Sequence, residues 1–149
     1  MHVAQFNISK ERYPLDHPAM RDFVERLAPI NALADEWDGF VWRLHDESGN
    51  ATAIRAFDDP TIIFNLSVWV SVETLRHFTY RSDHAGMLHV RRRWFVPTGT
   101  PSYVLWWVEE DALPSLAEAK DRLRFLQEHG PSAHAFTFTS VPQGTSADE

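Results

Sequence analysis

Apolar and polar residues alternate from Val3 to Ile8, with Ala4, Phe6 and Ile8 on one face and Val3, Gln5 and Asn7 on the other. A period of two predicts a β-strand. Beyond Pro14 and Pro18 the period lengthens: Met20, Phe23, Val24 and Leu27 recur at helical spacing, with Asp22 and Arg26 four apart on the solvated side. Pro29 ends or kinks that helix, and Ile30 to Asp35 adds a turn or two. Strand spacing returns from Phe40 to His45, where Phe40, Trp42 and Leu44 share a face. Asp46 to Asn50 is a turn, Ala51 to Phe57 predicts an edge strand, and Asp58-Asp59-Pro60 turns the chain again.

Thr61 to Val70 is the clearest strand, with Ile62, Phe64, Leu66, Val68 and Val70 opposite Ile63, Asn65, Ser67 and Trp69. Ser71 is a good N-cap, Glu73 lies in the positive first turn, and Val72, Leu75 and Phe78 give the following helix its buried stripe. Tyr80 to Arg93 predicts a second helical stretch, interrupted near Gly86. Tyr103 to Val108 is apolar on both faces and so predicts a strand covered on both sides. In the last helix Ser115 and Glu118 form a capping box, and Leu116, Ala119, Leu123 and Leu126 form the stripe. Gly130 supplies its C-cap and Pro131 stops it. Ala135 to Thr139 predicts a final strand.

This order is that of an α+β domain spanning residues 3–140: an antiparallel sheet with helices on one face, then a disordered tail at 141–149. Helices on one face leave Val3, Trp69 and either Trp106 or Trp107 to be hidden on the other. A second copy packing sheet to sheet would hide them, so a homodimer is expected.

Composition narrows the function. Ten Phe, six Trp and three Tyr in 149 residues point to a large core, an interface or a ligand pocket. The absence of Cys excludes thiolate metal sites and a Cys nucleophile. A net charge of −7 argues against nucleic acid as a partner. The N-terminus has no signal-peptide pattern, and no apolar run is long enough for a membrane helix, so a cytoplasmic location is expected.

His77, Tyr80 and His84 lie on one face of a continuous helix, with His89 following. Their rings are candidates to line a pocket between helix and sheet, or else structural groups facing solvent. His84 is the candidate proton acceptor, since Tyr80 precedes it by one turn and Arg91, Arg92 and Arg93 follow. The arginines could hold an anionic substrate or form a solvated basic edge; Arg93, beside Trp94, is the candidate for stabilising negative charge. Asn7, Asn65 and Ser67 share strand faces with Val3 and Trp69, and on a covered face they need partners, water or a ligand. Trp69, Trp94 and Trp106 are core residues that could also border a pocket. No metal site is expected, because His84 and His89 are five apart with no Glu between them. The chain has no Gly-rich phosphate loop and no Gly-x-Ser-x-Gly turn.

Several strings carry a resemblance: Ala4-Gln5-Phe6-Asn7, Gly39-Phe40-Val41-Trp42-Arg43-Leu44, Leu66-Ser67-Val68-Trp69-Val70-Ser71, Arg93-Trp94-Phe95, Leu105-Trp106-Trp107 and Gly130-Pro131-Ser132-Ala133-His134-Ala135-Phe136. Together they resemble the bacterial family called domain of unknown function 3291. That resemblance implies a ferredoxin-like, dimeric α/β-barrel fold. A looser likeness, through Ser82-Asp83 and the later His89, is to haem-degrading monooxygenases of the same superfamily; it implies His89 as axial ligand with Asn7 assisting. The Trp those enzymes place near the haem has no counterpart here, where Phe78 and Thr79 occupy that region.

The leading expectation is a small-molecule-binding protein with no required cofactor. Its enzymatic form is monooxygenase-like and acts on a flat apolar or aromatic substrate. His84, Tyr80 and Arg93 would be catalytic, and Asn7, Asn65, Trp69, His77, His89, Trp94 and Trp106 would line the site. The alternatives are a haem-binding or haem-degrading protein, and a non-catalytic ligand-binding or interaction protein.

Overall fold

The ten-residue strand β1 (His2–Glu11) is the axis of one antiparallel sheet. On one side it pairs along its length with β3 (Ile62–Trp69), which pairs in turn with the short β2 (Phe40–Arg43). On the other side it pairs with β5 (Tyr103–Val108) and, at its far end, with the two-residue β4 (Phe95–Val96). The four principal strands therefore lie in the order β2-β3-β1-β5, the arrangement of a ferredoxin-like α+β fold. Four helices accompany them: α1 (Arg21–Asp35), α2 (Val72–Ser82), α3 (Met87–Trp94) and α4 (Leu116–His129). The computed structural model describes residues 1–46, 49, 51–52, 54–82 and 87–142, without the side chains of 82 and 87–90. No helix among the described residues is long and apolar enough to cross a membrane.

Strand alternation sorts the core into two clusters. Ala4, Phe6, Leu66, Val68, Val104 and Trp106 face one way, against Ala119, Leu123 and Leu126 of α4. Val3, Trp69 and Leu105 face the other way, against Ala34 of α1 and Val72 and Leu75 of α2. Helices thus cover both faces, where the sequence pattern predicts one. The stripe of α4 finds its partner in the Ala4–Phe6–Trp106 surface, and Ala51 and Ala56 extend that cover. Val3, Trp69 and Trp106 are all buried within a single chain. The need for a second copy to hide them, which motivates the expected homodimer, is met by α4 and α2 instead.

Three elements depart locally from the sequence pattern. The described residues between Ala51 and Phe57 form no edge strand; Ile54 N–H bonds back to the Ala51 carbonyl, and Ala51 and Ala56 are tucked into the core. Helix α1 runs through Pro29, which lies on the exposed side where water can serve the carbonyl left without its donor. The last strand shrinks to a bridge between Phe136 and Leu105. Beyond it the Thr137 N–H goes to Ser140 Oγ (2.9 Å) and the Phe138 N–H to the Tyr103 hydroxyl (3.1 Å), so side chains displace the ladder. Val141 still packs on this cluster; 143–149, the rest of the expected tail, lie outside the described residues.

Gly39 fixes how α2 meets the sheet. Its φ is +96°, and a Cβ there would lie 2.6 Å from Thr74 Cβ in the first turn of α2. Gly130, the C-cap of α4, also has a positive φ (+78°), but a Cβ there would meet nothing within 4 Å. Gly130→Ala is therefore expected to cost backbone strain alone, about 1–3 kcal/mol. Gly39→Ala should cost more in a urea melt, because it adds a clash with an atom anchored to the backbone. Equal losses at the two sites would show that the approach of α2 is not set by Gly39.

Candidate functional site

The face under α1 and α2 is not uniformly apolar. Between Val3 and Trp69 at one end and the helices above, it presents Gln5, Asn7, Asn65 and Ser67. The register makes them neighbours: Gln5 lies opposite Ser67 and Asn7 opposite Asn65. Gln5 is 7% and Ser67 4% exposed, so their polar atoms need partners. They find them in one another. Gln5 Nε2 donates to Asn65 Oδ1 and to Ser67 Oγ (2.8 Å), Asn7 Nδ2 donates to Gln5 Oε1 (2.8 Å), and Trp69 Nε1 donates to Ser67 Oγ (2.9 Å).

Above this floor is a cavity of about 620 Å³, partly open to solvent and bordered by the sheet, α1, α2 and α3. Its size lies within the ~300–1,000 Å³ of small-molecule sites. The walls are largely aromatic. Trp69 is flanked by Phe40 (5.3 Å, edge-on) and Phe78 (5.0 Å, 30° between planes), and Tyr103 lies 5.6 Å from Phe138. Helix α1 forms the roof with Ile30, Asn31 and Ala34, yet Ala34 is its single buried residue. It rests on its ends. At the N-terminal end Phe23 packs on Trp94 and Phe95. At the C-terminal end Asp35 takes two hydrogen bonds from Arg43 of β2 (2.7 and 3.2 Å). Arg43 also donates to the Gly49 carbonyl (2.6 Å).

The cavity gathers Asn7, Asn65, Trp69 and Tyr80 of the sequence candidates. Tyr80 stands at its edge, 60% exposed. The structure separates the others. Trp106 lies on the α4 face, because Ala4, its cross-strand partner, points away from the cavity. Trp94 is buried beside Phe23, outside the lining. His77 is exposed and packs on Trp37 (5.7 Å between centroids). Of the arginine triplet Arg91 reaches the cavity, whereas Arg93 is exposed and does not line it. His84 and the side chain of His89 lie outside the described residues, and the haem expectation attaches to those two.

Sequence reading passed over Gln5, Arg43 and Tyr103 as site residues. Gln5 carried a usable signal, a long amide between two apolar neighbours on a strand. For Arg43 and Tyr103 nothing local distinguishes a lining position from a structural one. Among the described residues the lining holds no Asp, Glu or His, and none of them groups three or more metal-binding side chains. The arrangement is therefore chemically neutral amide and hydroxyl groups under aromatic walls, with Arg43 and Arg91 as the described charges. It can orient a flat ligand by stacking and by hydrogen bonds to its polar edge.

A family model described as a domain of unknown function (DUF3291) matches residues 2–149. No curated protein matches the chain.

Two expectations follow from the geometry. Ser67→Ala removes the acceptor shared by Gln5 and Trp69 and should cost about 1–3 kcal/mol; it should also shift Trp69 emission, and an unchanged spectrum and melt would dissolve the network's role. The second concerns acid. The Arg43 guanidinium, by its hydrogen bonds, holds the Asp35 carboxyl below its ordinary pKa. A lowered folded pKa means the pair stabilises the fold fully above about pH 4 and that this stability is lost as the pH falls further. Asp35→Asn should thus be less stable than the parent at pH 6, with the gap closing toward pH 3. A gap that stays constant across that range would refute the assignment.

Proposed function

We propose, for a chain that belongs to the domain of unknown function family DUF3291, that it binds a flat, largely apolar or aromatic small molecule in the cavity between sheet and helices. One observation carries this reading. The floor of the cavity is a hydrogen-bonded strip of Gln5, Asn7, Asn65 and Ser67, and the aromatic rings of Phe40, Trp69 and Phe78 rise beside it. A core built only for stability has little use for four polar side chains beneath an open volume, where apolar side chains packed on a helix would bury more apolar area. A ligand with a planar apolar body and a polar edge satisfies both features at once.

The enzymatic extension is cofactor-independent, monooxygenase-like chemistry on that ligand. In it His84 takes a proton from the bound substrate, Tyr80 orients His84, Asn7 holds the substrate's polar edge and Arg93 steadies developing negative charge. Tyr80 and Asn7 stand at the cavity, which supports their part; Arg93 is outside the described lining, and Arg91 is better placed for the charge-stabilising task. Binding is the primary claim, and catalysis depends on it. The haem alternative depends on His84 and His89, and nothing in the described lining supports it.

The test is occupancy of the cavity by a neutral planar probe. N-phenyl-1-naphthylamine should bind the protein with enhanced emission and quench Trp69. Ala34→Trp places an indole in the cavity from its roof and leaves the four residues of the polar floor unchanged. Filling that volume should weaken probe binding by at least about tenfold, the equivalent of ~1.4 kcal/mol, with cooperative unfolding retained. Undiminished binding by a folded Ala34→Trp protein would show that the probe, and the proposed site, lie elsewhere.

A further inference from the structure

We infer that the ligand of this cavity carries an oxyanion, and that the anionic group leaves the cavity beside Arg91 to rest in a basic slot at the edge of the sheet. The inference deepens the binding reading above and rests on it.

The slot has a structural origin in the strand lengths. β1 is ten residues long, and no single strand covers its β5 side. β5 pairs with it from His2 to Asn7, and β4 pairs only with Lys10 and Glu11. Between the two ladders, at Ser9, the chain from Pro97 to Pro101 loops away from the sheet. A second space of about 180 Å³ opens there, bordered by Lys10, Arg91, Arg92 and Thr98. Ile8, Arg91 and Ser102 line both this slot and the cavity, so the two are contiguous. The Ile8 N–H is already bonded to the Ser102 carbonyl (2.8 Å), which fixes the shared threshold.

Charge indicates what the slot receives. The chain carries a net charge of −7. Yet the titratable groups that line either space, among the described residues, are Lys10, Arg43, Arg91, Arg92 and two tyrosines, with no carboxylate. Lys10 lies 2.7 Å from Asp59, Arg43 lies 2.7 Å from Asp35, and Arg91 has an interaction partner too. Arg91 and Arg92 follow one another in the last turn of α3, and both are exposed. Among the described residues the Arg92 guanidinium has no hydrogen-bond or ion-pair partner; its carbonyl accepts from Arg12 Nε (3.0 Å), which ties this turn to the end of β1. The Arg92 guanidinium, one residue on from the Arg91 that lines both spaces, stands at the exit of an aromatic cavity in a molecule otherwise rich in negative charge, and so matches an oxyanion on a planar apolar body. Carboxylate and phosphate share that chemistry.

Two probes with the same aromatic body separate the anion from the rest. 8-Anilinonaphthalene-1-sulfonate is N-phenyl-1-naphthylamine with a sulfonate added. At low ionic strength the sulfonate should bind roughly tenfold more tightly than the neutral probe, as charge-assisted bonds to arginine allow. That advantage should shrink in about 0.5 M salt, because the slot is open to solvent. The Arg92→Gln variant, altered at a residue that lines the slot and not the cavity, should remove most of the sulfonate's advantage while leaving the neutral probe where it was. Equal affinities on the parent protein would overturn the inference, as would an advantage that survives Arg92→Gln undiminished. If neither probe binds a cooperatively folded protein, the cavity reading itself fails, and that failure is distinct from loss of the sulfonate's advantage alone. Competition against the bound sulfonate then identifies the oxyanion. Stronger displacement by 1-naphthyl phosphate assigns a phosphate and stronger displacement by 1-naphthoate a carboxylate. If neither outcompetes uncharged 1-naphthol, the anionic site is refuted.

Discussion

The hydrogen-bonded strip across β1 and β3 is the constraint on which the rest of the structure depends. Gln5 and Ser67 face each other across the ladder, as do Asn7 and Asn65. Their amides and hydroxyl bond to one another across the face of the sheet, and so present a polar surface where a packed helix would bring only apolar side chains. Helix α1 therefore stands off this surface and buries one residue, Ala34. Where the same face turns apolar again, at Val3, Trp69 and Leu105, α2 closes down with Val72 and Leu75. The cavity is the space between these two regimes. A slip of one residue in the β1–β3 register would carry the strip to the α4 face and leave neither cavity nor floor.

Much of the fold was legible because its signals are local. The alternation in β1 and β3 and the capping box of α4, with Ser115 Oγ accepting from the Glu118 N–H (3.1 Å), need only a few neighbouring residues to be read. The face that α4 covers is a different matter. A strand apolar on both sides, as Tyr103 to Val108 is, reports that something covers each face but not what. Another helix of the same chain and another copy of the chain leave the same pattern. The two-residue β4 likewise exists because β1 outruns β5, a fact about lengths in three dimensions. The loss of the last strand turned on Tyr103, Thr137 and Ser140 competing for backbone donors, which spacing alone does not reveal.

The site was legible to the extent that parity decided it. Asn7, Asn65 and Trp69 share the cavity because odd positions of β1 and β3 face one way. Trp106 went to the opposite side because Ala4, not Val3, is its partner, and that register cannot be deduced from either strand by itself. Helical position was a weaker guide. His77 and Tyr80 lie on neighbouring positions of α2, yet one packs outward on Trp37 and the other edges the cavity, since the helix axis sets which side of the stripe overhangs the sheet.

A volume of this size between sheet and helices needs walls that hold their positions, so the means of holding them are informative. Helix α1 is clamped at both ends, by Phe23 against Trp94 and Phe95 and by the two-pronged bond of Asp35 to Arg43. Thr74 meets Gly39 too closely for any side chain, which fixes the height of α2 over the sheet edge. On the far wall Arg76 Nη2 donates to the Phe138 carbonyl (3.0 Å) and its guanidinium lies over the Phe138 ring at 5.4 Å, while Tyr103 takes the Phe138 N–H. These contacts lie at the two ends of α1, at the edge of the sheet and beside the cavity-lining Tyr103 and Phe138. Such bracing fixes the cavity's shape before a ligand arrives, so that binding spends little on ordering the walls. A fold that merely failed to pack would show the reverse, with loose edges around a collapsed centre.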